Sequence, residues 1–203
     1  MRTSSAVAAS QWCTLDHVHG SACKPFMQGF SHDHSDERKL YEKPLEEKMK
    51  AIRLFREEGN QHFRAKDYEL ASASYRRALL NLDYTFDEND SDNEEIDAER
   101  LKCYLNLAAA KLEVLDYPEV VNQCRLALKM DPTNCKAHFR KGLAHLRRAD
   151  LEEAQDHLYK AMKLSDSESR ETRRPIEDAI RELNIKWRDY KKASAIVAKA
   201  ALT

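Results

Sequence analysis

Two pairs of side chains spaced four residues apart, Arg56 with Asn60 and Lys136 with Arg140, stand out in this 203-residue chain as a chemical constellation. At helical spacing each pair projects from one helix face. Asn106 stands at the matching place in a segment between them. Three cations and two carboxamides suit carboxylates. A guanidinium forks two hydrogen bonds onto one, an ammonium adds a point charge, and an amide NH2 donates to an oxygen while orienting its neighbours. A C-terminal Asp, with side-chain and main-chain carboxylates on one residue, would engage the whole set. With 34 Lys and Arg in the chain a single such charge means little, so the weight rests on five coordinated positions.

These residues need helices to hold them, and the sequence supplies a repeated helix-turn-helix pattern. The stretch from Phe55 carries Gly59, Asp67, Tyr68, Ala71, Tyr75 and Ala78, and the stretch from Ala137 carries Gly142, Asp150, Leu151, Ala154, Leu158 and Ala161. Between them lie Ala108, Asp116, Tyr117, Cys124 and Ala127, ending on Pro132, and the step from Ala108 to Gly142 is 34 residues. Small residues let neighbouring helices approach closely and bulky ones fill the space between them. One such unit cannot bury its apolar face alone, so three are about the minimum for stability. The predicted fold is all-α: a right-handed superhelix of three helix-turn-helix repeats at 52–85, 101–134 and 135–168 within 44–168, with a long capping helix over 169–203. In such an array the first helix of each repeat lines the concave face, where all five residues fall.

From Ile52 to about Glu168 the chain resembles tetratricopeptide-repeat (TPR) proteins, whose period is 34 residues. Glu58 and Val120 stand where that family usually has Leu and Ala. The resemblance narrows at Arg-x-x-x-Asn, Leu-Asn-Leu-Ala-Ala and Lys-x-x-x-Arg, which match the dicarboxylate clamp of chaperone-binding TPR domains. The clamp positions are Arg56, Asn60, Asn106, Lys136 and Arg140, with Arg56 in place of the usual Lys. The match implies an adaptor co-chaperone that grips the Glu-Glu-Val-Asp C-terminus of heat-shock protein 90 or 70. It also implies an apolar pocket of Phe63, Ala109 and Leu112 for the peptide's Val, and Glu113 replaces a Lys found in some members. The acidic stretch before LKCYLNLAAAKL looks most like the TPR region of large FK506-binding immunophilins. Those proteins carry an isomerase domain ahead of it, which needs ~100 residues to bury a core. About forty irregular residues precede the repeats here, so no enzymatic activity is expected. The alternatives are a general TPR scaffold binding an internal peptide, and a non-catalytic relative of a TPR-containing peptidyl-prolyl isomerase.

Composition agrees. Four Gly, five Pro and 34% charged residues fit one helical domain with tails. A net charge of −1 gives no overall pull towards nucleic acid or a membrane surface, and no apolar run approaches the ~20 residues of a membrane span. Five cysteines without paired spacing do not form a disulfide framework, and Cys103, Cys124 and Cys135 read as small core residues in a reducing cytoplasm. No phosphate loop, zinc-protease motif or nucleophile elbow is present, and no cofactor is expected. His62, His138, His145 and His157 read as scattered packing or surface residues.

Three segments lie outside the repeats. Residues 1–43 read as a disordered tail, in which Cys13, His17, His19 and Cys23 are too tightly spaced for a known zinc finger. Residues 86–100 form an acidic insert that fails the calcium-loop pattern at Asp92 and Ala98 and reads as a solvated loop between prolonged helix ends. After Pro175 a seventh helix is expected, with Ile176, Ala179, Ile180, Leu183 and Trp187 at helical spacing. Its first half should cap the last repeat. Its second half, with Lys186, Arg188, Lys191 and Lys192 around Trp187, has the basic amphipathic character of a calmodulin ligand, a reading that ranks below capping.

Overall fold

The computed structural model describes residues 43–85, 90–165 and 170–200, with backbone alone at 90–92 and 171–172. Among these residues lie seven helices: α1 Leu45–Arg64, α2 Tyr68–Asp83, α3 Asp90–Glu113, α4 Tyr117–Met130, α5 Cys135–Arg148, α6 Leu151–Leu164 and α7 Arg170–Ala200. Each packs on its neighbours in sequence, and α3 also touches both α1 and α5. The first helices of the three repeats therefore lie side by side in an all-α superhelix.

The repeats share one turn. Lys66, Leu115 and Ala149 adopt the left-handed conformation, at φ of 66°, 63° and 65°. The amide of the next residue reaches back to the helix: Asp67 to the His62 carbonyl at 2.9 Å, Asp116 to Lys111 and Asp150 to His145 at 3.0 Å. Amides of the left-handed residues bond Phe63, Leu112 and Leu146. This double closure satisfies the last carbonyls of the first helix, and it usually employs glycine because a Cβ is disfavoured there. The three aspartates then stand as N-caps of α2, α4 and α6.

Close approach within each repeat depends on the small residues. A Cβ on Gly59 would lie 2.5 Å from the Tyr75 ring, and one on Gly142 would lie 2.8 Å from Leu158 Cγ and 3.1 Å from the Leu158 backbone nitrogen. Neither position has room for a methyl group.

The acidic insert departs from its expected form. α3 begins at Asp90, so most of residues 86–100 is helix rather than loop. Ile96 is buried in the cluster that holds Met49, Ile52, Tyr75, Leu82, Cys103 and Leu107. Ile96, Cys103, Leu107 and Ala110 recur at helical spacing, so one apolar anchor extends the helix through an acidic stretch. Arg100 adds a bond from Nη2 to the Leu82 carbonyl at 3.0 Å, covering the end of α2.

The capping helix begins at Arg170, beside the expected 169, and carries Pro175 inside it rather than just ahead of it. Pro175 is the sixth residue of this helix, so it removes an amide that would otherwise reach the carbonyl four residues back. Ala179 and Leu183 join Leu146, Ala154 and Leu158 in one cluster, Ile176 packs with Cys135 and Ala161, and Lys186 Nζ donates to the Leu146 carbonyl at 3.0 Å. From Arg188 to Ala200 the helix is exposed. The N-terminal tail and Cys13, His17, His19 and Cys23 lie outside the described residues. Among the described residues no group of three or more His, Cys, Asp or Glu could hold a metal, and no helix is long and apolar enough to cross a membrane.

Candidate peptide-binding groove

α1, α3 and α5 carry the five predicted polar residues: Arg56 and Asn60, then Asn106, then Lys136 and Arg140. The two amides meet directly. Asn60 Oδ1 accepts from Asn106 Nδ2 at 3.0 Å and from the Tyr75 hydroxyl at 2.9 Å. Two donors on one atom fix it as oxygen and turn the Asn60 NH2 the other way, where it donates to Glu57 Oε2 at 2.9 Å. Burial pushes the Tyr75 phenol up to about 12, so it stays a neutral donor.

Arg56 is engaged within the chain. Its Nε donates to Glu99 Oε2 at 2.8 Å, and Lys102 Nζ donates to Glu99 Oε1 at 2.8 Å. The Glu99 side chain is 5% exposed, against 22% for Arg56. Burial pushes the Glu99 carboxyl upward, but the bonds from Lys102 and Arg56 outweigh it and hold the group below its ordinary value. Bonds from Arg64 and Asn60 likewise hold Glu57 down.

Repeat three is different. Lys136 is exposed, and no carboxylate of the described residues pairs with it or with Arg140. Arg140 keeps part of its surface in solvent, yet its Nη1 is sealed off and has no hydrogen-bond partner. Burial lowers the pKa of Arg140, and the ionisable groups it senses are Cys124 and Tyr75. Burial pushes the Cys124 thiol up to about 12, so both neighbours are neutral and neither supplies a countercharge. A buried donor without a partner is costly in a free protein.

The predicted apolar residues are all half-buried but are not gathered into one cluster. Phe63 packs on the repeat-one core, edge-on to Tyr68 with ring centroids 5.3 Å apart. Leu112 packs with Tyr117 and Val121 against Ala108, Val120 and Cys124. Ala109 lies between them in sequence, on the same helix as Leu112, and Glu113 is exposed.

Three residues of this region were not among the predicted site residues: Tyr75, expected only as a repeat position, Glu57 and Glu99. The pairs Arg53–Glu95 and Arg56–Glu99 join successive turns of α1 and α3. The histidines also differ from expectation. His138, His145 and His157 come together between α5 and α6, with His138 Nδ1 3.0 Å from His157 Nδ1 and the His145 and His157 rings stacked 6.0 Å apart. His138 Nε2 lies 3.1 Å from the Pro132 carbonyl, which assigns its proton to that nitrogen. Burial, with Lys141 and His138 nearby, pushes His157 down to about 3.

No protein-family model matches the chain. It is 31% identical over 127 residues to the peptidyl-prolyl cis-trans isomerase FKBP4 of Bos taurus, a match covering 63% of this chain and 28% of that protein. The chain thus spans under a third of the length of that curated relative. Among solved structures it is similar to the C-terminal TPR-containing domain of a putative FK506-binding protein of Plasmodium falciparum. The TM-score is 0.62 and the identity 28%, over 73% of this chain and 99% of that one. It also shares its fold with the first TPR of Spaghetti (RPAP3), solved bound to the HSP90 peptide SRMEEVD, at a TM-score of 0.51 and 19% identity over 66% of this chain and 94% of that one.

Proposed function

We infer, from the premise that this chain carries a TPR domain of the kind found in the large FK506-binding immunophilins, that it is an adaptor co-chaperone. Its groove holds the acidic C-terminal tail of heat-shock protein 90 or 70. The observation that carries this reading is Arg140, a guanidinium with a sealed, unpartnered Nη1, one helical turn from an exposed and unpaired Lys136. The tail's terminal Asp places its two carboxylates among Lys136, Arg140 and the amides of Asn60 and Asn106. Arg56 takes part from the repeat-one side. Phe63, Ala109 and Leu112 line the path of the preceding Val. The neighbour that holds an HSP90 peptide shares this fold.

Docking, rather than covalent chemistry, is the mechanism. Each charge-assisted hydrogen bond contributes about 1.5–3 kcal/mol, while ordering a flexible tail offsets much of that gain. The complex is therefore modest in affinity and weakened by salt. The protein acts in the cytoplasm, bringing other bound proteins to the chaperone.

The test is a fluorescence anisotropy titration with a labelled peptide ending in Met-Glu-Glu-Val-Asp, its C-terminally amidated form, and a Lys136→Glu/Arg140→Glu variant. Binding that is lost on both amidation and charge reversal is the expected result. Binding that survives amidation moves the function to a scaffold for internal segments. No binding by folded wild-type protein overturns the co-chaperone reading.

A further inference from the structure

The acidic extension of α3 brings one of its own carboxylates to the groove. Glu99 is nearly fully buried, bonds Arg56 through Oε2 and Lys102 through Oε1, and lies one turn before Cys103 of the repeat-one core. Ile96, three residues earlier, is buried in that core and holds this part of the helix against α1. The geometry matches what an incoming carboxylate would offer: an oxygen 2.8 Å from the Arg56 Nε. The NH2 of Asn60 is engaged by Glu57 in the same way.

We propose that Glu99 is a built-in competitor for the incoming tail: in the free chain it holds the Arg56 Nε–H, and a bound carboxylate gains the two-bond fork on the Nε edge of the guanidinium only by displacing it. The inference rests on the groove reading above and gives that site its regulation. A ligand with a single weak carboxylate docks on repeat three alone. One bearing the paired carboxylates of a terminal Asp gains Arg56 as well, and only such a ligand repays the loss of the internal pair. The competitor thereby raises the threshold for acidic tails.

A double-mutant cycle separates this direct competition from a general field effect. The Met-Glu-Glu-Val-Asp peptide is titrated against wild type, Glu99→Gln, Arg56→Ala and the double variant, with Glu95→Gln as a control for charge on the exposed part of the extension. Glu99→Gln is expected to tighten binding about tenfold, the scale of one charge-assisted bond released to the ligand. In the Arg56→Ala background the same change should gain less than about twofold, and Glu95→Gln should change little. Equal gains in both backgrounds would reduce Glu99 to a distant negative charge and overturn the proposal, as would no gain at all in a wild type that binds. Absence of binding in both wild type and Glu99→Gln sinks the groove reading, and this inference with it. Thermal melts check that each variant folds. Should Glu99→Gln lose its cooperative melt, Glu99→Met keeps the buried stem and serves in its place, with the same expected dependence on Arg56.

Discussion

In repeat one the Arg56 Nε–H and the Asn60 amide already donate to Glu99 and Glu57, whereas in repeat three Lys136 and Arg140 meet no carboxylate of the described residues. The two repeats share spacing, turn and capping residue, so the fold does not cause this difference. It comes from what surrounds the donors. An inserted acidic stretch, made helical by Ile96, lays carboxylates over repeat one, while repeat three has only the neutral Cys124 and Tyr75 beside Arg140. Identical scaffolding can thus hold one half of a site satisfied and the other half waiting. Repeat three should be less stable than its packing allows, because an unpartnered buried donor carries a desolvation cost.

The largest expected effect breaks the comparison at its open end. Arg140→Met keeps an apolar stem, removes the orphaned guanidinium and should weaken tail binding by roughly ten- to hundredfold, the worth of one or more charge-assisted bonds. In differential scanning fluorimetry its melting temperature should hold or rise. A sharp fall would mean that Arg140 is structurally satisfied.

Next come the glycines. Gly59→Ala and Gly142→Ala should each cost about 2 kcal/mol in urea melts, from overpacking against Tyr75 and Leu158. The Gly142 change should cost more, because the Leu158 backbone nitrogen is among the atoms met and cannot rotate away. The Gly59 change should carry a second signature, weaker tail binding, since moving Tyr75 disturbs the hydroxyl that orients Asn60.

Acid should also separate the halves. His157 is held down to about 3 from an ordinary 6.5, so protonation favours the unfolded chain. Its contribution to stability is complete above about 6.5 and is lost as pH falls towards 3. Glu99 is lowered from 4.5, so its contribution is present above 4.5 and is lost as pH falls through its lower folded value. Stability measured by urea melts between pH 6.5 and 4.5 should therefore fall more gently in His157→Gln than in wild type. Glu99→Gln should follow the wild-type slope there and diverge only at lower pH.

The smallest effects test what the halves share. Lys66→Gly and Ala149→Gly each relieve a left-handed side chain and should stabilise by about 0.5–1 kcal/mol, equally in the two repeats. Unequal gains in matched chemical melts would show that the turns are not equivalent.

Much of this was legible in the sequence. Small residues at Gly59, Ala108 and Gly142, with aspartates after each first helix, marked the turns between paired helices, because close approach and N-capping each demand particular residue types. The extent of helix within the acidic insert was missed because Ile96 is the only large apolar side chain between Asp87 and Arg100. Ile96 continues the Cys103, Leu107 and Ala110 stripe, yet a stripe with one member in ten residues shows only once the neighbouring core is in place. Pro175 was read as lying just ahead of the helix because proline favours the first helical position, whereas it is the sixth residue of the helix. That Arg56, Asn60, Asn106, Lys136 and Arg140 fall on the first helices of the repeats could be read from spacing. Their occupancy could not, since the Arg56–Glu99 bond spans 43 residues and depends on how α3 lies against α1. The histidine cluster escaped for the same reason, being assembled across two helices.

The most direct test of an open repeat three facing an occupied repeat one is a side-chain 15N spectrum of the Arg140 and Arg56 Nε–H groups, assigned by Lys substitution and followed through a titration with the Met-Glu-Glu-Val-Asp peptide. The free protein should show a protected, pair-bonded Arg56 signal. Peptide should shift Arg140 first and move Arg56 away from its Glu99-bonded position only as the groove fills. An Arg140 signal that stays fixed while peptide binds would contradict the assignment of repeat three as the receiving end.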